Sequence, residues 1–164
     1  MTEQKRLERN SIRLKECHSV FGSALKKVIS ALESDGVRPR IQDAWRSPED
    51  QLKAFKSGHS QLKFGFHNVT SAAGKPESLA VDLLDDSSPL NPSTKYVLRL
   101  TPAAQKHGLN TGAFFGLPVH LRNALQDAID TKNFDAALKI GWDPCHVQVT
   151  GITPTEAKSG KRPA

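Results

Sequence analysis

The chain has 164 residues, of which 37% are hydrophobic and 24% charged, with a formal net charge of +6 and a pI near 9.5. This composition predicts one soluble globular domain and excludes an intrinsically disordered chain. No apolar run approaches the roughly 20 residues of a membrane-spanning helix, and two cysteines do not make a disulfide framework. The positive charge favours a polyanionic partner, such as a bacterial cell wall, an anionic membrane or nucleic acid.

The first helix is predicted from Ser11 to Ser34, because apolar residues recur there at spacings of three and four: Leu14, Cys17, Phe21, Leu25, Val28 and Leu32. Asp35 and Gly36 are expected to end it. The residues before it lack the apolar core of a secretory signal, so we expect synthesis in the cytoplasm without export by that route. We also expect no stable membrane insertion.

A short strand, "RPRIQDAW", and a short helix are predicted next. Ser47 can cap this helix, Pro48 suits its first position, and Gly58 is expected to end it. Residues 59–78 are predicted to form a long loop, which in a compact domain usually serves a function or is disordered. The apolar segment "SLAVDLL" that follows predicts a buried strand with a carboxylate at its centre.

The second half of the chain predicts two more helices and a strand. Residues 92–107 are expected to be helical with an interruption at Thr101-Pro102, and "GLNTGAFFGLP" to be turn-rich. Residues 118–131 have an apolar helical face, and "HVQV" alternates like a strand. The prediction is one α+β domain over 1–152, with a small, mostly antiparallel sheet flanked by helices, and a flexible polar tail over 153–164.

Three residues predict a metal site when they are taken together. A buried Asp82 needs a cation, a donor or a metal, although a strand-end carboxylate paired with a base would explain it equally. His67 alone would be an ordinary polar loop residue. With His146, the three make a three-ligand zinc site that leaves a position for water. Asp143, three residues before His146, is then placed to act as general base.

Arg46 is a candidate substrate-side cation. It lies directly after the predicted strand and before the helix cap. From there it can stabilise an oxyanion or bind a substrate carboxylate with its planar guanidinium. A surface arginine without a role is the alternative.

Five blocks carry a resemblance to a known family: "WRSPEDQLKAFKSG", "FHN", "LAVDL", "HGLNTG" and "DPCHVQ". In this order, over about residues 38 to 150, they resemble the zinc D-Ala-D-Ala carboxypeptidases and phage L-alanyl-D-glutamate endopeptidases, of the Hedgehog/D-Ala-D-Ala metallopeptidase type. The resemblance implies that family's fold and one Zn²⁺ per chain. It implies zinc ligands at His67, Asp82 and His146, a catalytic base at Asp143, a catalytic and substrate-binding Arg46, a substrate-orienting Gln51 and a supporting Gln148.

One spacing departs from the family. The family pattern His-x-x-Gly-x-Ala-x-Asp places its two ligands seven residues apart, whereas His67 and Asp82 are 15 apart. A loop can absorb eight extra residues because closure entropy grows slowly with length. His59 is the alternative first ligand. Cys145 is expected to point away from the neighbouring His146.

The function implied is a peptidoglycan peptidase acting on the stem peptide. The specific expectation is a monomeric phage or prophage endolysin that cleaves L-Ala-D-Glu after release to the cell wall; an injected toxin would share its features. The alternatives are a D,D-carboxypeptidase on the same scaffold, a member that keeps zinc without activity, and a non-catalytic basic module binding cell wall or nucleic acid. No nucleic-acid-binding motif supports the last, so no nucleic-acid partner is expected.

Overall fold

The computed structural model of the protein describes residues 1–164 and contains six helices and four strands. In chain order these are α1 (Glu3–Leu14), α2 (Ser19–Ser34), β1 (Pro39–Asp43), α3 (Pro48–Lys56), a 3-10 turn (Phe66–Asn68), β2 (Ala80–Asp85), α4 (Thr94–Lys106), β3 (Leu109–Gly112), α5 (Val119–Asp130), β4 (Asp143–Val149) and α6 (Pro154–Lys158). All four strands form one antiparallel sheet in the order β1-β2-β4-β3. The predicted α+β class is confirmed. None of the helices is both long and apolar enough to cross a membrane.

The central strands β2 and β4 separate the core from the polar face of the sheet. Side chains alternate across a strand, so Val81 and Leu83 enter the core, where both are fully buried, and Asp82 between them is not. In β4, Val147 is likewise fully buried. The register pairs Asp82 directly with His146. The polar side chains of both strands therefore meet on the same face.

The helix predicted over Ser11–Ser34 is wrong at its start, because two helices occupy this region. The chain leaves α1 after Leu14, and Cys17 forms an isolated parallel bridge with Ser78. The backbone N–H of His18 donates to the Ser78 carbonyl at 3.0 Å. These bonds to the strand-entering segment replace the helical ones, and α2 then starts at Ser19.

Helix α1 lies against the edge strand β1 and was not predicted. Its Asn10 side chain donates to the Pro39 carbonyl at 2.9 Å and accepts from the Ile41 backbone N–H at 2.8 Å. Arg6 also donates to the Pro39 carbonyl, at 2.6 Å. These side chains satisfy backbone groups that an edge strand leaves unpaired.

Two predictions in the second half of the chain need correction. Helix α4 runs through Pro102 without a break, because Leu98, Leu100 and Ala104 around it are fully buried and packing outweighs one lost backbone hydrogen bond. The segment "GLNTGAFFGLP", predicted to be turn-rich, contains β3 at its start. Pairing with β4 makes these four residues a strand, although their sequence favours one only weakly.

The C-terminal segment, for which the polar sequence predicts a flexible tail, contains helix α6. Thr153 and Glu156 form a capping box at the start of α6, and Ala157 is buried. The Arg162 guanidinium binds the Glu77 carboxylate at 2.8 Å and the Thr70 carbonyl at 2.7 Å. The segment is thereby joined to the long loop that precedes β2.

Candidate metal centre

Three side chains from separate segments converge on one point of the polar face. His67 comes from the 3-10 turn, Asp82 from β2 and His146 from β4, and each offers a ligand atom within 4.8 Å of the others. Nε2 of His67 lies 3.3 Å from Nδ1 of His146, and Oδ1 of Asp82 lies 3.6 Å and 3.5 Å from these nitrogens. Ligand atoms bound tetrahedrally at ~2.0–2.1 Å lie about 3.3 Å apart. The donor set and its spacing fit a zinc ion with an open position.

Both imidazoles are oriented by hydrogen bonds on the side away from this point. Nδ1 of His67 donates to the Ala44 carbonyl at 2.6 Å, and Nε2 of His146 donates to Oε1 of Gln148 at 2.9 Å. Each bond fixes the tautomer and leaves the other ring nitrogen free to bind a metal. The supporting role expected for Gln148 has its geometric basis in this contact.

The three side chains form a charge network. Burial works against ionisation of Asp82, but the imidazoles of His146 and His67 outweigh it and hold the pKa of this carboxyl well below its usual range. Burial also opposes protonation of His67, yet Asp82 and the Ala44 carbonyl raise the pKa of the ring above its ordinary value. Asp82 is thus an anion ready to bind a cation.

Asp143 lies beside this group without belonging to it. Its Oδ2 is 3.8 Å from Nδ1 of His146, at the start of β4. Burial and the negative charge of Asp82 raise the pKa of Asp143, against the opposing effect of the two imidazoles. A carboxylate with a raised pKa accepts a proton more readily near neutral pH.

Gly112 allows β3 to approach Asp143. The two residues pair where the β3-β4 register shifts. A Cβ on Gly112 would overlap the Asp143 carbonyl oxygen. The backbone that carries Asp143 therefore has its position because residue 112 has no side chain.

Arg46 and Gln51 are in contact with each other. The Arg46 guanidinium donates to Oε1 of Gln51 at 3.0 Å and to Oδ2 of Asp43 at 2.9 Å. Gln51 is buried, and its Nε2 donates to the Ser60 hydroxyl at 2.8 Å and to the Leu62 carbonyl at 2.6 Å. The structure thus brings the two predicted substrate-side residues together in a single network.

Sequence reasoning missed Asp43. It is the register partner of Asp82 in β1, binds Arg46, and contributes to the raised pKa of His67. The only sequence signal was its position near the end of the predicted strand, three residues before Arg46.

His59 and Cys145 lie outside the cluster of ligand atoms. Nδ1 of His59 is instead 2.8 Å from the Ser57 hydroxyl. Cys145 is buried, and burial together with nearby carboxylates raises the pKa of its thiol to about 12. A protonated thiol is a poor metal ligand.

Two aromatic side chains, one next to His146 and the other next to the first, were not predicted as site residues. The Phe115 ring lies 5.9 Å from the His146 ring and 5.6 Å from the Trp142 ring, centroid to centroid. Trp142 is 72% exposed although it precedes Asp143 directly.

Comparisons with known proteins support the fold. No family model and no curated protein matches the sequence. Among solved structures, the Serratia marcescens L-Ala D-Glu endopeptidase ChiX aligns over 87% of this chain and 86% of its own, with a TM-score of 0.54 and 17% identity. The chain has the fold of this endopeptidase. The fold that the sequence resemblance implied is therefore confirmed.

A second solved structure is more distant. It is a variant of the vancomycin resistance D,D-pentapeptidase VanY in complex with Zn(II), aligned over 87% of this chain and 76% of its own. Its identity is 16% and its TM-score 0.43, too low to support a shared fold.

Proposed function

We propose that the protein is a zinc-dependent peptidase that hydrolyses the stem peptide of bacterial peptidoglycan between L-Ala and D-Glu. The observation that carries the proposal is the set of three ligand atoms at tetrahedral spacing. Asp143 stands next to it as a carboxylate outside the ligand set. An open three-ligand site with an adjacent base is the arrangement of a hydrolytic zinc centre.

The zinc ion would be held by Nε2 of His67, Oδ1 of Asp82 and Nδ1 of His146. When bound, it supplies Lewis-acid activation of water and of the scissile carbonyl. Asp143 takes the proton of the attacking water on its carboxylate and returns it to the leaving amine. Its raised pKa suits both transfers at near-neutral pH.

Arg46 binds the acidic side of the substrate. Asp43 and Gln51 hold its guanidinium in place, and its remaining N–H groups are available to a substrate carboxylate. D-Glu supplies such a carboxylate next to the scissile bond. The fold shared with an L-Ala D-Glu endopeptidase supports this choice of bond. In this role the protein acts as an endolysin that reaches the wall after its release.

The decisive variant is Asp143→Ala. We expect it to retain one zinc per chain and to lose clearing of bacterial cell walls, because it removes the proton carrier and leaves the ligands. Zinc content by atomic absorption and turbidity of wall suspensions measure the two properties. His59→Ala is the matched control and keeps both.

Two other results would overturn the proposal. Full wall clearing by Asp143→Ala would remove the base from the mechanism. A wild-type protein that binds walls with a steep salt dependence, yet neither binds zinc nor clears them, would instead be a basic binding module.

The second candidate is a D,D-carboxypeptidase with the same metal centre. Arg46 fits this reaction as well, because its guanidinium would bind the terminal carboxylate of a D-Ala-D-Ala peptide in the same way. Mass spectrometry of digested muropeptides separates the two reactions. Loss of a single terminal D-Ala, without separation of L-Ala from D-Glu, would establish the carboxypeptidase.

A further inference from the structure

Trp142 is a large aromatic side chain that lies outside the hydrophobic core. It is 72% exposed, and its ring lies 5.6 Å from the Phe115 ring, which in turn lies 5.9 Å from the His146 ring. Tryptophan side chains are highly buried on average, and those that are exposed are enriched at binding interfaces. We call Phe115 and Trp142 together the aromatic wall. Phe115 is its member next to the candidate ligand His146, and Trp142 is its solvent-exposed member.

The backbone around this wall is tightly fixed. The Trp142 N–H donates to the Phe115 carbonyl at 3.3 Å. A Cβ on Gly141 would collide with the backbone of residues 112–115, and Gly116, at φ +75°, would place its Cβ 3.0 Å from the Trp142 ring. Glycines at these two positions let the aromatic rings stand where they do. The wall is thus built into the β3-β4 edge of the sheet.

The sheet order gives the site two chemically different ends. Arg46 and Gln51 follow β1 at one edge, whereas Phe115 follows β3 at the other. Asp82 and His146 lie on the strands between them. With strands about 4.8 Å apart, a substrate lying across the sheet meets a cation at one end, the metal centre in the middle and an uncharged aromatic surface at the other end.

We propose that the aromatic wall of Phe115 and Trp142 is a subsite for the sugar ring that bears the stem peptide. This inference rests on the proposed function, because it assigns the two ends of the same substrate. With the D-Glu carboxylate at Arg46, the other side of the scissile bond carries L-Ala and the muramic acid ring. A pyranose ring presents an uncharged C–H face, which suits an exposed indole. The wall therefore fixes the direction in which the substrate lies.

The test compares two substrates that differ only in the sugar: a disaccharide-linked stem peptide and the same peptide without sugar. For Trp142→Ala we expect KM on the sugar-linked substrate to rise at least tenfold, with kcat and zinc content unchanged. KM on the sugar-free peptide should stay at the wild-type value. Trp142→Phe should restore part of the difference, and Leu90→Ala, which truncates a 90% exposed apolar residue elsewhere, should match the wild type.

An equal rise of KM on both substrates would overturn the sugar subsite and assign Trp142 to the peptide. No change on either substrate would overturn it as well. Binding of the sugar-linked peptide, measured by calorimetry on the zinc-loaded protein, separates this inference from the peptidase itself. A wild type that binds but does not cleave, with binding lost in Trp142→Ala, would refute the proposed function and keep the subsite. Absence of both binding and cleavage in the wild type would refute both.

Discussion

At the scale of single residues, the candidate centre depends on the acceptors behind its two imidazoles. Gln148 and the Ala44 carbonyl each hold the ring nitrogen that faces away from the metal position. They act through the histidines by fixing which nitrogen carries the proton. Only Gln148 can be changed by mutation, because the other acceptor is backbone.

Gln148→Leu should lower zinc affinity by about 10- to 100-fold, because His146 loses the acceptor that sets its tautomer. Gln148→Glu is the matched control. It keeps an oxygen acceptor at Nε2 and should bind zinc clearly more tightly than Gln148→Leu. Competition with a chromogenic chelator gives both affinities, and the melting temperature of each metal-free variant shows whether it folds. Equal zinc affinity in the wild type and Gln148→Leu would contradict this role.

The residues of the centre differ in how well the sequence alone predicts their roles. Asp82 was recognisable because a carboxylate inside an apolar strand is costly without a partner. The preference for His67 over His59 depended on the family resemblance, since an interval of 15 residues to Asp82 carries no signal of its own. Asp43 and Trp142 became visible only in the fold, because their roles come from neighbours that are distant in sequence.

At the scale of elements, the sequence predicted best those helices and strands whose formation depends on nearby residues. Helix α3 carries its own start signal, with Ser47 as cap and Pro48 at its first position, and it forms where the sequence predicts. Strand β3 has no such pattern and exists because β4 pairs with it. Helix α1 consists mostly of strong helix formers and has its own cap at Thr2, and its contacts through Arg6 and Asn10 place it against β1. Tertiary pairing therefore overrides propensity in β3 and not in α1.

The residues after helix α6 contact the loop that follows the candidate ligand His67. Residues 69–78 connect His67 to β2, and Arg162 binds this loop at the Glu77 carboxylate and the Thr70 carbonyl. The loop contains the extra length that separates this chain from the family pattern. Because the loop is already anchored at two points, it loses less conformational entropy when His67, just before it, binds a metal.

Arg162→Ala should therefore weaken zinc binding by a few-fold and lower the melting temperature only modestly, because the loop is freed and the core is untouched. Lys161→Ala removes a neighbouring exposed ion pair with Glu156 and serves as the control. Zinc titration and thermal unfolding of both variants measure the effect. If Arg162→Ala bound zinc like the Lys161→Ala control, the anchoring of the loop would have no bearing on the metal site.

At the scale of the whole molecule, the centre links three distant parts of the chain, so its charge state affects global stability. The lowered pKa of Asp82 contributes stability above the unfolded Asp value of about 3.9, which is lost as pH falls through the folded pKa. The raised pKa of His67 contributes stability below the unfolded His value of about 6.5, which is lost as pH rises through the folded pKa. The metal-free cluster therefore stabilises the fold most between about pH 4 and 6.5.

Zinc should reverse this pH dependence, because a protonated His67 cannot bind metal and the proton competes with the ion. We expect excess zinc to raise the melting temperature strongly at pH 7.5 and only slightly at pH 5.5, relative to protein in chelator at the same pH. Differential scanning calorimetry at both pH values measures the increment. His67→Ala, which lacks both the ligand and the titrating group, should show little increment at either pH. A zinc increment in the wild type that is equal at pH 5.5 and 7.5 would mean that His67 does not bind the metal.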